Sequence, residues 1–256
     1  MRIHIVEGEA GCRLAVERGA AAVIVDALRA SATAAALLAA GAAELCVVRE
    51  VADAFAVKDL WPDALLFGER GGLPPAGFDF GNSPREASYA RGRRVIFTTT
   101  TGAGRLLSAW GAPVALMASV VNGAALTRYF TAHPPDEVVI IPAGLMGDPT
   151  FDAQEDWVAG AWLAARIYGS GEHAWGEGFE KAREYNTRIA AEGIERLFLS
   201  APHADKLRAV GLEADIPFCA QADRYDVLPK AVKPLHTGLV LEDALKPLFP
   251  SPGQSD

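Results

Sequence analysis

At five points along the chain an apolar run stops and charged, hydroxyl or amide side chains follow. Asp26 and Arg29 come after Ala21–Val25, and Glu69 and Arg70 after Ala64–Gly68. Thr98, Thr99, Thr100 and Thr101 close the run from Arg94, Ser119 and Asn122 follow Pro113–Ala118, and Gly144, Gly147 and Asp148 follow Glu137–Ile141. Arginine presents a planar fork that clamps an oxyanion through two hydrogen bonds. Backbone N–H groups where helices begin, as at Gly102 and Asn122, add donors for the same kind of group. Asp26, Glu69, Glu155 and Asp156 are hard oxygen donors of the kind Mg²⁺ takes alongside waters and a substrate phosphate. A cation that holds a phosphate and activates water supports hydrolysis without a protein nucleophile. Each residue also has a structural reading. Asp26 and Asn122 are good helix caps, the threonines suit a strand end, and Glu69 with Arg70 could be a surface pair. Their shared placement at strand ends favours one anion-binding crevice.

The segment Phe67–Glu86, FGERGGLPPAGFDFGNSPRE, is the longest interruption between regular elements. Glycine frees the backbone where proline fixes it, so the loop is shaped rather than floppy. Long ordered loops in compact domains are commonly functional. Its two ends, with Glu69 and Arg70 on one side and Asn82 and Ser83 on the other, are expected to face the crevice, and LPPAGFDF to act as scaffold.

The elements that must hold these groups alternate. Strand-like runs at Arg2–Val6, Ala21–Val25, Glu44–Val48, Ala64–Gly68, Arg94–Thr98, Pro113–Ala118 and Glu137–Ile141 are separated by helical patterns. These are the alanine-rich stretch from Ser31 to Gly41, Val51–Leu60, a short helix from Pro84 capped by Ser83, Gly102–Trp110 and Asn122–Ala132. Such alternation predicts an α/β fold, a three-layer α/β/α arrangement around a mostly parallel or mixed sheet, with ligands at the carboxyl ends of the strands. Beyond Gly144 the pattern changes to a smaller C-terminal extension. There we expect helices at Gln154–Tyr168, Phe179–Glu192 and Leu197–Val210, and extended pieces at Ile216–Cys219 and Tyr225–Leu228. The chain reads as one domain over 1–256, with lobes at 1–150 and 151–240 as the second choice and a frayed tail at 247–256.

A net charge of −8 argues against nucleic acid or an anionic membrane as partner, since both require a basic face. No long apolar run or leader pattern is present, and Cys12, Cys46 and Cys219 form no CxxC pair, so a cytoplasmic protein with reduced thiols is expected. The five histidines lack zinc-site spacing, and neither a GxxxxGK[ST] loop nor a GxSxG elbow occurs. A homodimer is the base-rate expectation for oligomeric state.

In collinear order the chain carries VIVDALRASAT, LLFGERGG, GFDFGNSPRE, TTTTG, ASVVNG and IPAGLMGDPTFDAQEDWVAGA. Ser200, Leu207, Gly211, Asp215–Ile216, Cys219, Asp223 and Val227–Pro229 follow. This pattern, covering about Ile3 to Pro229, resembles the 2-phosphosulfolactate phosphatase (ComB) family. The resemblance implies a Mg²⁺-dependent phosphatase that converts 2-phospho-3-sulfolactate, a small anionic phosphorylated substrate, to 3-sulfolactate and phosphate, in coenzyme M biosynthesis or sulfolactate metabolism. Within it we assign Asp26, Glu69 and Asp156 as metal ligands or water-orienting bases and Arg29 and Arg70 as anion clamps. Asp26, Glu69 and Arg70 are then the catalytic set, and Asn82, Ser83, Thr99, Thr100 and Asn122 the hydrogen-bond donors to substrate. The chain has Thr101-Gly102-Ala103 where the family more often has Asn-Gly-Thr, and Asn122-Gly123 where it usually has Asn-Ala. A phosphatase for another small phosphorylated hydroxy acid, or a binding protein for an anionic metabolite without turnover, are the alternatives.

Overall fold

The computed structural model describes residues 1–246; the expected fraying of 247–256 lies outside the described residues. The strands are β1 (Arg2–Ile5), β2 (Ala21–Val25), β3 (Glu44–Val48), β4 (Leu65–Gly68), β5 (Arg94–Thr98), β6 (Ala115–Met117), β7 (Glu137–Pro142), β8 (Ala174–Trp175), β9 (Pro229–Leu235) and β10 (Gly238–Asp243). They form one sheet in the order β4-β5-β3-β10-β9-β6-β2-β7-β1-β8. The helices are α1 (Gly8–Arg18), α2 (Ala30–Ala39), α3 (Val51–Leu60), α4 (Gly102–Ser108), α5 (Gly123–Ala132), α6 (Gln154–Tyr168), α7 (Phe179–Glu192), α8 (Ile194–Leu199), α9 (Pro202–Ala209) and α10 (Asp215–Cys219), with a 3₁₀ turn at Pro84–Ala90. The α/β reading of the sequence holds, with helices on both faces of a mixed sheet.

Strand residues alternate between apolar clusters on the two faces of the sheet. Ala21, Val23 and Val25 of β2 join Ile3, Ile5, Val138 and Ile140 beneath α5, α6 and α7. Ala22 and Ile24 join Val139, Ile141 and Met117 on the opposite face, against α1, α2 and α4. Period-two burial of β-branched side chains on both faces is what a sheet with two helical layers requires. The alanine-rich α2 is buried from Ala30 to Leu38, and it packs against β3, β6, β9 and the 3₁₀ turns at Pro84–Ala90 and Val120–Asn122. Small side chains let it sit at the centre of the fold, with solvent excluded from nearly its whole circumference.

Two parallel groups, β4-β5-β3 and β6-β2-β7-β1-β8, are bridged by the β9–β10 hairpin through three antiparallel pairings. The groups therefore run in opposite senses along the sheet. Six steps separate β4 from β2, and a twist of roughly 20–25° per step turns the strands through most of a half circle. That rotation offsets the reversal and lets the carboxyl ends of β2, β4, β5 and β7 face one another.

The structure corrects parts of the sequence reading. Ile216–Cys219 is helical, within α10; a short apolar run cannot be assigned from periodicity alone. The expected Leu197–Val210 helix is two helices, because Pro202 cannot continue α8 and instead sits in the first turn of α9. Tyr225–Leu228 joins no ladder, although the Tyr225 amide donates to the Val121 carbonyl. The C-terminal segment contributes helices to one face, and its final hairpin lies within the sheet.

Candidate active site

The strand ends converge on a crevice of about 320 Å³, at the small end of the range for metabolite pockets. It is lined by Asp26, Leu28 and Arg29 after β2, Glu69, Gly71, Gly72 and Asn82 of the long loop, and Thr100 and Thr101 after β5. Gly144 and Leu145 after β7, Asp156 of α6, and His203, Lys206, Leu207 and Ala209 of α9 complete the wall.

Asp26 is held at the mouth of α2, where its Oδ1 accepts from the Ala30 amide at 3.0 Å and its own amide donates to Ser31 Oγ at 3.0 Å. It is thus a helix cap, and Oδ2 has no hydrogen-bond partner among the described residues. Gly102 makes this possible. A Cβ there would sit 2.6 Å from Ala30 Cβ and 2.7 Å from Asp26 Oδ2, so only glycine admits the start of α4 so close to Asp26. Asp156 Oδ1 accepts from the Ala27 amide at 2.8 Å and Oδ2 from the Gly144 amide at 3.1 Å, which ties α6 to the ends of β2 and β7.

Glu69 shapes the long loop: Oε1 accepts from the Thr100 amide at 2.7 Å and Oε2 from the Gly72 amide at 2.9 Å. Gly68 just before it has φ 153°, and a Cβ there would lie 2.2 Å from the Thr98 carbonyl oxygen, so the turn into Glu69 requires glycine. Between the two loop ends the chain folds back on β4, with Phe80 stacked between Phe67 and Tyr89 at 4.6 and 4.7 Å. The expectation that this middle segment is scaffold holds.

Arg29 is buried, and its Nη1 donates to Asp215 Oδ2 at 2.5 Å while Nη2 donates to the Gly72 carbonyl at 3.1 Å. Asp215 also accepts from Ser83 Oγ at 2.7 Å. Arg29 thus reaches the crevice as half of a buried ion pair.

Behind the crevice Glu155 is fully buried, with Oε1 3.0 Å from His203 Nδ1 and Oε2 without a partner among the described residues. Burial pushes the Asp26 carboxyl above its usual range; Glu69 and Glu155 add to this, while His203 and the Ala30 amide oppose it. Asp156 is pushed well above its usual range by burial and then by the charges of Glu155 and Asp26, against the amides of Ala27 and Gly144. For His203 burial acts to lower the pKa, but the hydrogen bond and charge of Glu155, with Asp26, raise it overall.

Among the sequence-predicted site residues, Asp26, Arg29, Glu69, Asn82, Thr100 and Asp156 meet at the crevice, and Arg70, Ser83, Thr99 and Asn122 do not line it. The Arg70 guanidinium turns to the carbonyls of Glu69 and Arg49 and to Thr98 Oγ1, so it braces the loop and makes no pair with the Glu69 side chain. Ser83 is taken by Asp215, and its hydroxyl also caps the following 3₁₀ turn. Thr99 Oγ1 accepts from the Ala103 amide, as a cap of α4. Asn122 accepts from the Ser119 amide and donates to the Met117 and Val227 carbonyls, fully buried. Sequence reasoning missed His203 and Lys206, which reach the wall only through the packing of α9. The one available signal was the position of His203 at the start of a helix after Ser200.

No group of three or more His, Cys, Asp or Glu side chains among the described residues forms a ready metal cage. The donor set nevertheless fits a hard divalent cation shared with substrate. Asp26, Glu69 and Asp156 line the crevice with Glu155 behind them, Arg29 is already neutralised by Asp215, and His203 and Lys206 are the other cations at the wall. Mg²⁺ is commonly bound in this way, by one or two carboxylates, waters and a substrate phosphate.

Residues 11–234 match the family model described as 2-phosphosulpholactate phosphatase. Among similar proteins, the probable 2-phosphosulfolactate phosphatase of Thermus thermophilus is 40% identical, over 81% of this chain and 86% of its own length. Proteins of the same description from Deinococcus radiodurans and Thermosynechococcus vestitus are 36% and 34% identical, over 82% and 83% of this chain and 87% and 89% of their own lengths. With a match across nearly the whole described fold, every crevice element included, the chain belongs to the 2-phosphosulpholactate phosphatase family.

Proposed function

We propose that this protein hydrolyses 2-phospho-3-sulfolactate to 3-sulfolactate and phosphate with Mg²⁺ as cofactor, acting in the cytoplasm within coenzyme M biosynthesis or sulfolactate metabolism. Family membership supports the reaction, and the observation that carries the site is the small crevice whose buried carboxylates Asp26 and Asp156 lie among Arg29, His203 and Lys206. Asp26, through its free Oδ2, and Glu69 and Asp156, through their remaining lone pairs, are the residues that would hold the cation. The cation supplies charge neutralisation for a substrate bearing phosphate, sulfonate and carboxylate. Asp26 also orients the attacking water, and Lys206, with Arg29 at the wall, attracts the anionic groups. Leu28 and Leu207 exclude bulk water from the reacting centre. A homodimer is part of this reading only as the common arrangement for enzymes of this size.

The test is phosphate release from 2-phospho-3-sulfolactate, phospholactate and phosphoglycolate, with Mg²⁺ and with a chelator. Preference for the sulfonate substrate and loss of turnover under chelation support the proposal. Preference for a sulfonate-free substrate moves the assignment to another phosphorylated hydroxy acid. Tight binding without phosphate release shows a metabolite-binding protein.

A further inference from the structure

Glu155 is an expensive residue to keep. It is fully buried, and among the described residues one carboxylate oxygen has no partner and the other faces only His203 Nδ1, at 3.0 Å. Burying a carboxylate with half its hydrogen-bonding capacity unmet is costly. The return lies in what it fixes. With Nδ1 on Glu155 and the ring edge-on to Phe151 at 6.0 Å, the imidazole that lines the crevice is held in one orientation. Nε2 has no hydrogen-bond partner among the described residues. A buried carboxylate that orients an imidazole, with the second nitrogen left for the reaction, is a recurrent arrangement for proton transfer.

We propose that His203 is the proton donor to the leaving oxygen in phosphomonoester hydrolysis, with Glu155 as its positioning residue. This rests on the phosphatase reading above. As water bonds to phosphorus, the bond from phosphorus to the bridging oxygen breaks and its electron pair stays on that oxygen. The Nε2 proton moves to the oxygen, giving the alcohol. The proton lost by water passes to solvent, from which His203 Nε2 is reprotonated, so the enzyme is restored. The other cations of the wall are poorer donors: a guanidinium does not release a proton, Arg29 is tied to Asp215, and Lys206 lies over the Phe151 ring at 4.1 Å.

The test compares two small substrates that differ in leaving group. 2-Phospho-3-sulfolactate expels an alkoxide and requires protonation; acetyl phosphate expels a carboxylate and does not. Replacing a general acid costs on the order of 10²–10⁴ in rate when protonation is required. His203→Gln is therefore expected to lose about 100-fold more kcat on phosphosulfolactate than on acetyl phosphate, in a variant that remains folded. Glu155→Gln is expected to show the same bias to a smaller degree, and it carries the comparison if His203→Gln does not fold. Equal losses on both substrates, or none, overturn the assignment while leaving the phosphatase reading intact. Failure of the wild-type protein to hydrolyse either substrate overturns both.

Discussion

Asp215→Asn removes one charge from the buried pair with Arg29 and changes almost nothing else in shape. Asp215 and Arg29 are 1% and 2% exposed, and Nη1 lies 2.5 Å from Oδ2. The asparagine keeps an oxygen for Ser83 Oγ but leaves the guanidinium charged and without a counter-ion. For charge centres about 4 Å apart, the lost attraction is about 4 kcal/mol at an effective dielectric near 20. Breaking one side of buried pairs costs about 3–5 kcal/mol, so the two routes agree. Urea denaturation should show a lower midpoint with an unchanged slope, since the exposed surface is the same. Arg29→Met combined with Asp215→Leu should recover most of the loss, because two apolar groups need no counter-ion. A single-variant loss below about 1 kcal/mol, the worth of an exposed pair, would refute the reasoning, as would a double variant less stable than either single one. Because the pair joins α10 to the loop after β2, kcat should fall in Asp215→Asn as Arg29 leaves its place.

Three further outcomes follow from particular contacts. Gly102→Ala forces a methyl group against Ala30 Cβ and Asp26 Oδ2; a stability loss of about 1–3 kcal/mol and a fall in kcat are expected in denaturation and turnover assays. His4 is buried, and burial lowers its pKa from 6.5, with Arg18 acting in the same direction and Glu137 and Glu177 partly opposing. Protonation is therefore disfavoured in the folded state, so its contribution is full above pH 6.5 and is lost as pH falls through the depressed folded value. A His4→Asn variant should accordingly show a shallower decline than wild type in stability measured from pH 8 to pH 5. A chain ending at Leu228 lacks β9 and β10 and with them the hydrogen bonds joining the two parallel groups; circular dichroism and gel filtration should show no folded monomer.

The crevice was legible where its residues stand at strand ends. Asp26, Glu69 and Thr100 each follow an apolar run, and the local alternation of strand and helix determines which end of the strand they occupy. Asn122 and Thr99 stand at equivalent points, yet their polar atoms are consumed by nearby backbone groups, and only geometry separates a cap from a ligand. Asp26 fills both roles at once. Arg70 was misread for a related reason, since the long loop turns its guanidinium back onto backbone carbonyls. His203 reaches the site from α9 through a contact 48 residues away in sequence, and Asp215 joins it from α10 through contacts 132 and 186 residues away. The same holds for β9 and β10. No strand was expected there: prolines such as Pro229 and Pro234 disfavour a central strand, and nothing local says that their hairpin bridges the middle of the sheet. α1, with its mixed polar sequence GEAGCRLAVER, offered too weak an apolar stripe to stand out.

The central claim is that the crevice around Asp26 hydrolyses a phosphomonoester. Its most direct test is the rate of phosphate release from 2-phospho-3-sulfolactate in Mg²⁺ for the wild type and for Asp26→Asn, which keeps the Oδ1 cap on Ala30. Turnover by the wild type and a loss of about 10²–10⁴-fold in a variant that remains folded are expected. Undiminished turnover by folded Asp26→Asn would contradict the claim.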